Sequence, residues 1–599
     1  MQKLYLDFET YYDTKLSLSK ITTVEYVHNS AFKVWGVGVK LEDGETEWIS
    51  GEDCDDFFAQ IDWDQVALVC HNTLFDAYIL TQYYGYYPAY YYDTAAMARG
   101  FAPNESASLK EVAKRCFPTD ETMRKGDELV QAKGIVDLPP DVEDAIAGYC
   151  IQDVDLTYHI FQRYIQTYPQ QELDLIDLTV RMFVEPKLML DTGLLEEHRK
   201  KIATQTEQLI HNSGLSREVL ASQKKFAEHL TQDLGLVIPK KKSPATGEMI
   251  PAFSKGDVAY LQFCRAHPEY QHIWDAREAV KSRIEETRAE RMISATNPDG
   301  TFSVPLRYYA AHTGRFGGFD KINLQNLPRG SQLRTALQSP PGNYLYIADL
   351  SNIEARMLAW LAKEADLLDA FAEGRDVYSE FASDIYGRPI TKANKLERYV
   401  GKTAILGLGY GMGADKFKLT LKSGSPSVDI TDQTAISIVN QYRGKYPNIN
   451  RLWHVCKQLL FNMIDRGSQN VAYGPLVIQN KALQLPNGMS LQYPNLHYAA
   501  GQFLYNSGKT IIRTYGPRLT ENIVQALARI VITEQMLEIQ KLPGVSIVMQ
   551  IHDEIVSISS DVAPDETMEQ ILSIMKTPPS WCSELPLDAE GGYSNRYDK

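Results

Sequence analysis

Two strand-like apolar runs, far apart in the chain, each end in acidic side chains and strongly restrict how this chain can fold. The run YLYIAD presents Asp349 at its end, and the run SIVMQIHDE presents His552, Asp553 and Glu554 at a turn. β-Branched and aromatic residues of this kind favour buried strands. Carboxylates brought together by two strands can hold two Mg²⁺ ions about 3.5 to 4 Å apart, which serve phosphoryl transfer. Taken singly, an acidic residue at a strand end is more often a turn or cap residue.

Between these runs, the segment RYVGKTAILGLGYG places two cations and an aromatic residue at steps of four. The residues at these steps are Arg398, Lys402, Leu406 and Tyr410, which share one face if the segment is helical. Such a face could hold a triphosphate and pack against a base, because its cations would neutralise the charge of the leaving pyrophosphate. The alternative is an ordinary amphipathic helix that ends at Gly411.

The N-terminal segment LYLDFETY has Asp7 and Glu9 at alternate positions of a predicted strand, so both carboxylates face one side. Chance alone produces roughly two Asp-x-Glu pairs in a chain of this composition, so the pair is informative only with partners. The segment HNTLFDAYIL supplies Asp76, and YCIQDVDLTY supplies Tyr149 and Asp153 four residues apart on a predicted helix. These residues together predict a second site for divalent ions.

The length of 599 residues exceeds what one hydrophobic core usually organises, so about two to four domains are expected. The segment 1–160 has an α/β pattern, and the segment 165–300 has a charged helical pattern. Within the helical part, LLEEHRKKIATQTEQLIHNS is expected to end at Gly214, REAVKSRIEETRAERM is expected to be helical, and SPATGEMIPAFSKGD to be an exposed loop.

The net charge of −15 argues against nucleic-acid binding, but only weakly, because binding depends on local patches rather than on the whole-chain sum. The seven cysteines form no Cys-x-x-Cys pair, which speaks against a zinc site and a disulfide framework. The sequence contains no signal peptide and no apolar run long enough to span a bilayer, so we expect a soluble cytoplasmic protein that does not enter a membrane.

In combination, the acidic runs and the basic helix resemble motifs A, B and C of the DNA polymerase I family, also called family A. The resemblance covers roughly residues 180–599 and includes further short motifs. The matching residues are Asp349, Glu354 and Arg356; Arg398, Lys402, Tyr410 and Gly411; His552, Asp553 and Glu554; TGR at 313–315, LQNLP at 324–328 and YRGKYP at 442–447.

The resemblance implies a right-hand fold with thumb, palm and fingers. Asp349 and Asp553 would hold two Mg²⁺ ions, with Mn²⁺ as an alternative ion, and Glu554 would lie beside them. Arg398 and Lys402 would contact the incoming triphosphate, and Lys402 would protonate the departing pyrophosphate.

Further roles follow from the same resemblance. Tyr410 would lie at the end of the fingers helix against the nascent pair, and Glu354 would lie under the sugar, where it disfavours a 2′-hydroxyl. Arg315 and Gln525 would approach the minor groove of the primer-template, and His552 would lie near the primer terminus.

Three departures from the family pattern predict an unusual nucleotide pocket and a divergent, viral branch. Leu406 stands where the family usually has an aromatic residue, so discrimination against dideoxynucleotides does not follow from the family. Tyr378 stands where many relatives have a histidine that contacts phosphate, and Glu521 stands where bacterial members have asparagine.

The four N-terminal acids and Tyr149 resemble the tyrosine-containing class of four-carboxylate exonucleases over roughly residues 1–165. By this resemblance, two divalent ions would be held by the acids and Tyr149 would help to position the attacking water. Asp155 is an alternative to Asp153, but the Tyr-x-x-x-Asp spacing favours Asp153. A nuclease fold whose metal site has decayed is the structural alternative.

The predicted fold class is multidomain α/β and α+β, with a ribonuclease H-like exonuclease domain followed by a right-hand polymerase. Because the first strand begins at residue 3, we expect no preceding 5′-nuclease domain. The predicted boundaries are 1–165 for the exonuclease domain, 166–305 for linker and thumb, 306–385 for the first part of the palm, 386–500 for the fingers and 501–599 for the second part of the palm.

The predicted function is template-directed DNA synthesis with 3′→5′ proofreading, in viral genome replication. The expected partners are primer-template DNA, deoxynucleoside triphosphates and a single-stranded DNA 3′ end, while the residues identify no processivity factor or helicase. A single-subunit RNA polymerase fits less well because of Glu354 and the exonuclease acids, and a non-catalytic DNA-binding scaffold would not need two sets of acids. A nuclease whose C-terminal half only holds DNA is the more serious alternative.

Overall fold

A computed structural model describes residues 1–126, 128–243, 247–254, 256–560 and 562–598 of the chain. None of the helices in these ranges is both long enough and apolar enough to cross a membrane.

A five-stranded mixed sheet organises the N-terminal part of the chain. Its strands are β1 (Gln2–Thr10), β2 (Val34–Leu41), β3 (Thr46–Ser50), β4 (Val66–Cys70) and β5 (Tyr90–Asp93). Its helices are α1 (Thr23–Val27), α2 (Cys54–Phe58), α3 (Thr73–Tyr78), α4 (Thr94–Phe101), α5 (Leu109–Cys116) and α6 (Pro140–Ile165). The strand order is β3-β2-β1-β4-β5, with β1 antiparallel to β2 and parallel to β4. A Cβ at Gly38 of β2 would lie 2.9 Å from Cys150 Sγ, so glycine here lets α6 approach the sheet closely.

Helices dominate the part of the chain that follows α6, as the charged helical pattern predicts. The elements are α7 (Gln170–Val184), β6 (Met189–Leu190), α8 (Thr192–Ser213), α9 (Arg217–Ala221), α10 (Gln223–Glu228), β7 (Lys240–Lys242), β8 (Met249–Pro251), α11 (Val258–Ala266), α12 (Gln271–Lys281) and α13 (Ile284–Ser294). Helix α8 ends as predicted at Gly214, whose φ is +67°.

One prediction in this part is confirmed and another needs correction. The segment that starts at Arg277 is helical as predicted, in the end of α12 and most of α13, with a break at Ser282, whose ψ is 68°. The stretch expected to be a loop contains the short strand β8, which pairs with β7. Residues 244–246 and 255 of that stretch lie outside the described residues.

An antiparallel four-stranded sheet forms the centre of the C-terminal half. Before and within it lie β9 (Leu306–Arg307), β10 (Gly317–Gly318), α14 (Gln332–Thr335), β11 (Leu337–Gln338), β12 (Asn343–Leu350), α15 (Ile353–Ala362), α16 (Ala365–Ala372) and α17 (Val377–Tyr386). Next come the helices α18 (Lys395–Leu408), α19 (Ala414–Ser423), α20 (Asp432–Lys445) and α21 (Pro447–Ile464).

Two small sheets and the remaining strands of the central sheet complete the chain. The small sheets contain β13 (Ala472–Tyr473), β14 (Leu476–Gln479), β15 (Ala482–Gln484), β16 (Ser490–Gln492), β17 (His497–Ala499), β18 (Gln502–Ser507) and β19 (Thr510–Thr514). The last elements are α22 (Gly516–Gln540), β20 (Ser546–Ile551), β21 (Glu554–Ser560), α23 (Pro564–Lys576) and β22 (Ala589–Ser594). The central sheet has the order β20-β21-β12-β22, and both predicted acidic strands lie in it.

A buried ion pair joins the N-terminal half to the central sheet region. Glu172 on α7 is fully buried and accepts hydrogen bonds from Arg529 on α22, one of them at 2.8 Å. The Tyr308 hydroxyl and the Asn487 amide also donate to Glu172, at 2.5 and 2.6 Å. Burial alone would raise the pKa of Glu172, but the charge and hydrogen bonds of Arg529 lower it, so the carboxylate stays ionised.

Replacing Arg529 by methionine should therefore strongly destabilise the fold. The change leaves Glu172 charged and without its cation in the interior, which costs about 3–5 kcal/mol in the free energy of unfolding. Urea unfolding followed by tryptophan fluorescence measures this. Lys541→Met, which removes an exposed partner of Glu538 near the end of the same helix, is the control and should change little. A double variant, Glu172→Met with Arg529→Met, should recover part of the loss; equal stability of wild type and Arg529→Met would contradict the assignment.

Candidate functional sites

The pairing of β12 with β21 brings residues of the two predicted acidic strands side by side. Asp349 lies opposite Glu554 in the antiparallel register, and the Leu350 amide donates to the Asp553 carbonyl oxygen at 3.0 Å. Residues directly opposite in such a pair have side chains on the same face. Asp553 is the second residue of the tight turn between β20 and β21, and its neighbour His552 is exposed with a φ of +53°. The exposed Arg329 guanidinium lies 3.5 Å from Asp349.

Glu554 has different surroundings from the two aspartates. Its side chain is buried and accepts a hydrogen bond from the Tyr597 hydroxyl. The turn before it is fixed by Gln325, which accepts from the His552 amide at 2.8 Å and donates to the Gln550 carbonyl at 2.7 Å. Gln325 belongs to the LQNLP motif, so the sequence contained a signal for this supporting residue, although not for its role.

Helix α15 and helix α22 add a polar cluster next to this turn. Arg315 donates to Gln525 Oε1 at 2.8 Å and to Glu354 Oε1 at 3.3 Å. Burial raises the pKa of Glu354; Arg315 opposes the rise, and the charges of Asp553 and Glu521 add to it. The electrostatic effect of Asp553 on Glu354 shows that the carboxylates and the Arg315 cluster form one polar region.

The basic face of α18 lies against α17. The Arg398 guanidinium donates to both oxygens of Asp376, at 2.7 and 3.1 Å, and lies 5.4 Å from the centre of the Tyr378 ring. Lys402 is exposed, with its Nζ 5.9 Å from the same ring. Tyr378 donates to Asn352 Oδ1 at 2.5 Å. The aromatic ring thus takes a position between the cations and the carboxylate strands.

The nearby charges also shift the pKa of the Tyr378 hydroxyl. Burial, with contributions from Asp376 and Asp553, raises the pKa of Tyr378 to about 12, while Arg398 acts in the opposite direction. Tyr378 therefore stays neutral and can donate a hydrogen bond at neutral pH.

The predicted helical face does not extend to Tyr410. Helix α18 ends at Leu408, and Tyr410 lies in the following turn, where Gly411 has a φ of +76°. Glycines at positions 407, 409 and 411 weaken the helix, so the periodic spacing overestimates its length. Leu406 remains on the helix and is 39% exposed, so it offers an apolar surface to the same side as Lys402.

The N-terminal acids also come together. Ligand atoms of Asp7, Glu9 and Cys150 lie within 4.8 Å of one another, and Asp76 on α3 accepts from the Phe8 amide at 3.0 Å. Burial raises the pKa of Asp7 to about 6, and burial together with the charge of Asp7 raises the pKa values of Glu9 and Asp76. Clustered buried carboxylates repel one another, and a divalent cation would remove this repulsion.

Helix α6 contributes Asp153 and Tyr149 to the same cluster. Asp153 is buried and contacts Lys125, whose Nζ lies 4.5 Å from the centre of the Tyr149 ring. Asp155 instead points to the β2–β3 turn, where it accepts from Thr46 at 2.5 Å and pairs with Lys40 at 3.3 Å. Lys125 also acts electrostatically on Asp7 and Glu9, so it links Asp153, and not Asp155, to these acids. Lys125 was missed by sequence reasoning, because it lies outside any helix or strand and belongs to no recognised motif.

The donor set of this cluster fits divalent ions. Asp153 Oδ1 is buried without a hydrogen-bond partner among the described residues, as expected for an oxygen that would coordinate a cation. Cys150 donates to the Asp7 carbonyl at 3.2 Å, and burial holds its pKa well above the ordinary value. The other candidate ligands of the cluster are carboxylate oxygens, which suit Mg²⁺.

Comparisons with known proteins identify the family to which residues 192–599 are similar. The model of the family described as "DNA polymerase family A" matches residues 192–599. The DNA polymerase of Bacillus phage SP02 is 26% identical, over 77% of this chain and 76% of its own length. DNA polymerase I of Pseudomonas aeruginosa is 24% identical, over 75% of this chain and 47% of its own length, so the chain spans about half of this relative.

A solved structure shares the fold of the whole chain. The POL domain of Pol1 from M. smegmatis, in complex with DNA primer-template and dNTP, matches with a TM-score of 0.69 over 100% of this chain and 96% of its own chain. The sequence identity is 19%, so this likeness concerns the fold. It agrees with the predicted multidomain fold class.

We expect Asp7→Asn to weaken binding of Mn²⁺ at the N-terminal cluster by at least about tenfold, since losing even an outer partner of a metal ligand costs about 10–100-fold. Electron paramagnetic resonance of free Mn²⁺ measures this in a parent variant that carries Asp349→Asn and Asp553→Asn, which removes the other candidate site. Asp155→Asn on the same helix as Asp153 is the matched control and should bind like the parent. Equal affinities for the Asp7→Asn protein and the parent would refute the cluster as a metal site.

Proposed function

The chain belongs to the family A DNA polymerases, and from this premise we propose that it adds deoxynucleotides to a primer 3′ end under the direction of a template. The observation that carries the proposal is the register of β12 and β21, which sets Asp349 beside the turn that contains Asp553. The nearby Arg315, Glu354 and Gln525 supply the polar surface that a base pair and a sugar require.

The two aspartates would hold two Mg²⁺ ions, which when bound would activate the primer hydroxyl and stabilise the leaving oxygen. Lys402 is exposed and well placed to meet the incoming triphosphate and to give a proton to the pyrophosphate. Arg398 would join it after exchanging Asp376 for phosphate oxygens. Glu554, buried against Tyr597, would support the turn rather than contact the substrate.

Selection of the nucleotide would rest on the cluster around Glu354. Its carboxylate is held by Arg315 and lies next to the Tyr410 ring, whose pKa is raised by burial and by the charge of Glu354. A 2′-hydroxyl would have to displace these fixed contacts, so deoxynucleotides would be preferred. Gln525 and Arg315 would contact the acceptors in the minor groove that all four base pairs present similarly.

For the N-terminal cluster, we propose 3′→5′ exonuclease activity on a single-stranded 3′ end. Asp7, Glu9, Asp76 and Asp153 would hold two divalent ions, and Tyr149 would orient the attacking water. A mispaired primer end separates more easily from its template and would reach this site more often. The combination would proofread during replication, and similarity to a phage polymerase supports a viral role. A gene found in a cellular chromosome outside any integrated element would argue against that role.

Extension of a labelled primer-template with Mg²⁺ and all four deoxynucleotides tests both activities. The wild type should extend and also degrade the primer. Asp553→Asn should lose extension by at least about 10³-fold, because the bound ions contribute several kcal/mol to catalysis, yet should still degrade the primer. Asp7→Asn should extend normally without degrading.

The controls separate the two proposals. Asp155→Asn should keep both activities, because its carboxylate lies outside the N-terminal cluster. A wild type that degrades but never extends would refute the polymerase proposal, whereas extension without any degradation would refute only the exonuclease proposal.

A further inference from the structure

The segment between α5 and α6 passes the N-terminal acidic cluster. Its described part contains one short 3₁₀ helix, Glu128–Ala132, and is otherwise irregular. Irregular segments of such length are uncommon inside a compact domain unless they serve a function. This segment carries Lys125, the cation that contacts Asp153, so its function is to be sought at the acidic cluster.

Hydrogen bonds fix the segment on both sides of Lys125. On the N-terminal side, Gln152 Nε2 of α6 donates to the Thr122 carbonyl at 2.9 Å. On the C-terminal side, the Tyr12 hydroxyl donates to the Leu129 carbonyl at 3.0 Å. The backbone around Lys125 is therefore held beside the cluster, whereas its long, flexible side chain can change partners without moving the segment.

The Lys125 ammonium acts on several acids of the cluster. Its side chain is only 24% exposed, so water and salt screen its charge weakly. Burial, joined at Glu9 by the charge of Asp7, raises the pKa of both these carboxyls, and the charge of Lys125 opposes the rise. A cation in this position does part of what a divalent ion would do, because it reduces the repulsion among the carboxylates.

The balance of charge would change when divalent ions enter the cluster. Two such ions would fully neutralise the four carboxylates. The positive charge of Lys125 would then be in excess, and the ions would repel it. A phosphodiester at the 3′ end of a single strand has one negative charge, which would restore the balance.

We propose that Lys125 exchanges partners, so that it holds Asp153 in the ion-free protein and the scissile phosphate of a single strand once divalent ions are bound. The inference rests on the proposed exonuclease function. Lys125 thus competes with the ions before they bind and contacts the substrate afterwards. The Tyr149 ring, whose centre lies 4.5 Å from Lys125 Nζ, keeps the ammonium next to the side chain that would orient the attacking water.

Binding of Mn²⁺ without DNA tests the first part of the exchange. In the parent that carries Asp349→Asn and Asp553→Asn, Lys125→Gln should tighten binding by about tenfold, because the ions no longer displace a charged hydrogen bond. Electron paramagnetic resonance of free Mn²⁺ measures this at mildly alkaline pH, where protons compete least. Lys125→Arg, which keeps the charge, should bind like the parent. Lys133→Gln removes an exposed lysine of the same segment, and this matched control should also bind like the parent.

Cleavage of a single-stranded oligonucleotide by the same proteins tests the second part. At saturating Mn²⁺, Lys125→Gln should raise KM at least about tenfold, because the phosphate loses a charge-assisted hydrogen bond. The slope of log KM against log salt should fall by about 0.7, the contribution of one cation to binding of a single strand. Lys125→Arg should recover most of the loss in KM, since a guanidinium also binds phosphate, and Lys133→Gln should change neither quantity.

The opposite directions of these two effects distinguish an exchange of partners from a structural role. If Lys125 only supported its segment, its replacement would weaken the binding of both Mn²⁺ and the oligonucleotide. An Mn²⁺ affinity of Lys125→Gln equal to or below that of the parent would therefore overturn the proposal, as would an unchanged KM. Failure of the proposed exonuclease function is a different result, because the wild type would then degrade no single strand, whatever its affinity for Mn²⁺.

Discussion

The pair of Glu172 and Arg529 connects parts of the chain that lie far apart in sequence. Glu172 lies on the helix that follows the N-terminal sheet, and Arg529 lies one turn beyond Gln525 on α22. The Arg529 guanidinium also packs 5.5 Å from the rings of Tyr308 and Tyr309, which precede Arg315. A buried charge tolerates little displacement of its partner. The orientation of Arg315 towards Gln525 therefore depends on a contact well removed from any substrate.

The carboxylates of the two acidic sites differ in their burial and in the cations that lie near them. In the N-terminal cluster, buried carboxylates have raised pKa values, and a cationic side chain, Lys125, already contacts Asp153. In the C-terminal site, Asp349 near the end of β12 and Asp553 in the turn before β21 are partly exposed. Arg329 lies near Asp349, and Arg315 pairs with the neighbouring Glu354. If the proposed ions bind, the buried cluster would need them in order to stay ionised, whereas the more open aspartates would depend on them less.

Local patterns predicted the elements that carry the chemistry, but not the contacts that hold them. The predicted strand that carries Asp349 is present as Asn343–Leu350, because its apolar run is bounded by Gly342 and a turn. The spacing from Tyr149 separated Asp153 from its neighbour because helical periodicity governs both residues. The partner Lys125 could not be predicted, since an irregular segment has no period to analyse. The contact of Glu172 with Arg529 depends on packing across the whole fold, and a short sequence segment carries no information about such packing.

If Arg398 binds the incoming triphosphate as proposed, its contact with Asp376 would make nucleotide entry an exchange rather than a simple addition. The guanidinium already holds a carboxylate, and the pKa of Asp376 is lowered because hydrogen bonds from Arg398 and Ser379 outweigh the effect of burial. In the proposed reaction, a phosphate group must displace Asp376 from Arg398. Its net binding free energy is therefore only the difference between the two ion pairs. A triphosphate has more negative charge than a diphosphate or a monophosphate, so it would displace the Asp376 carboxylate more readily. In that proposal, the resting ion pair would disfavour the binding of nucleotides that carry fewer phosphates.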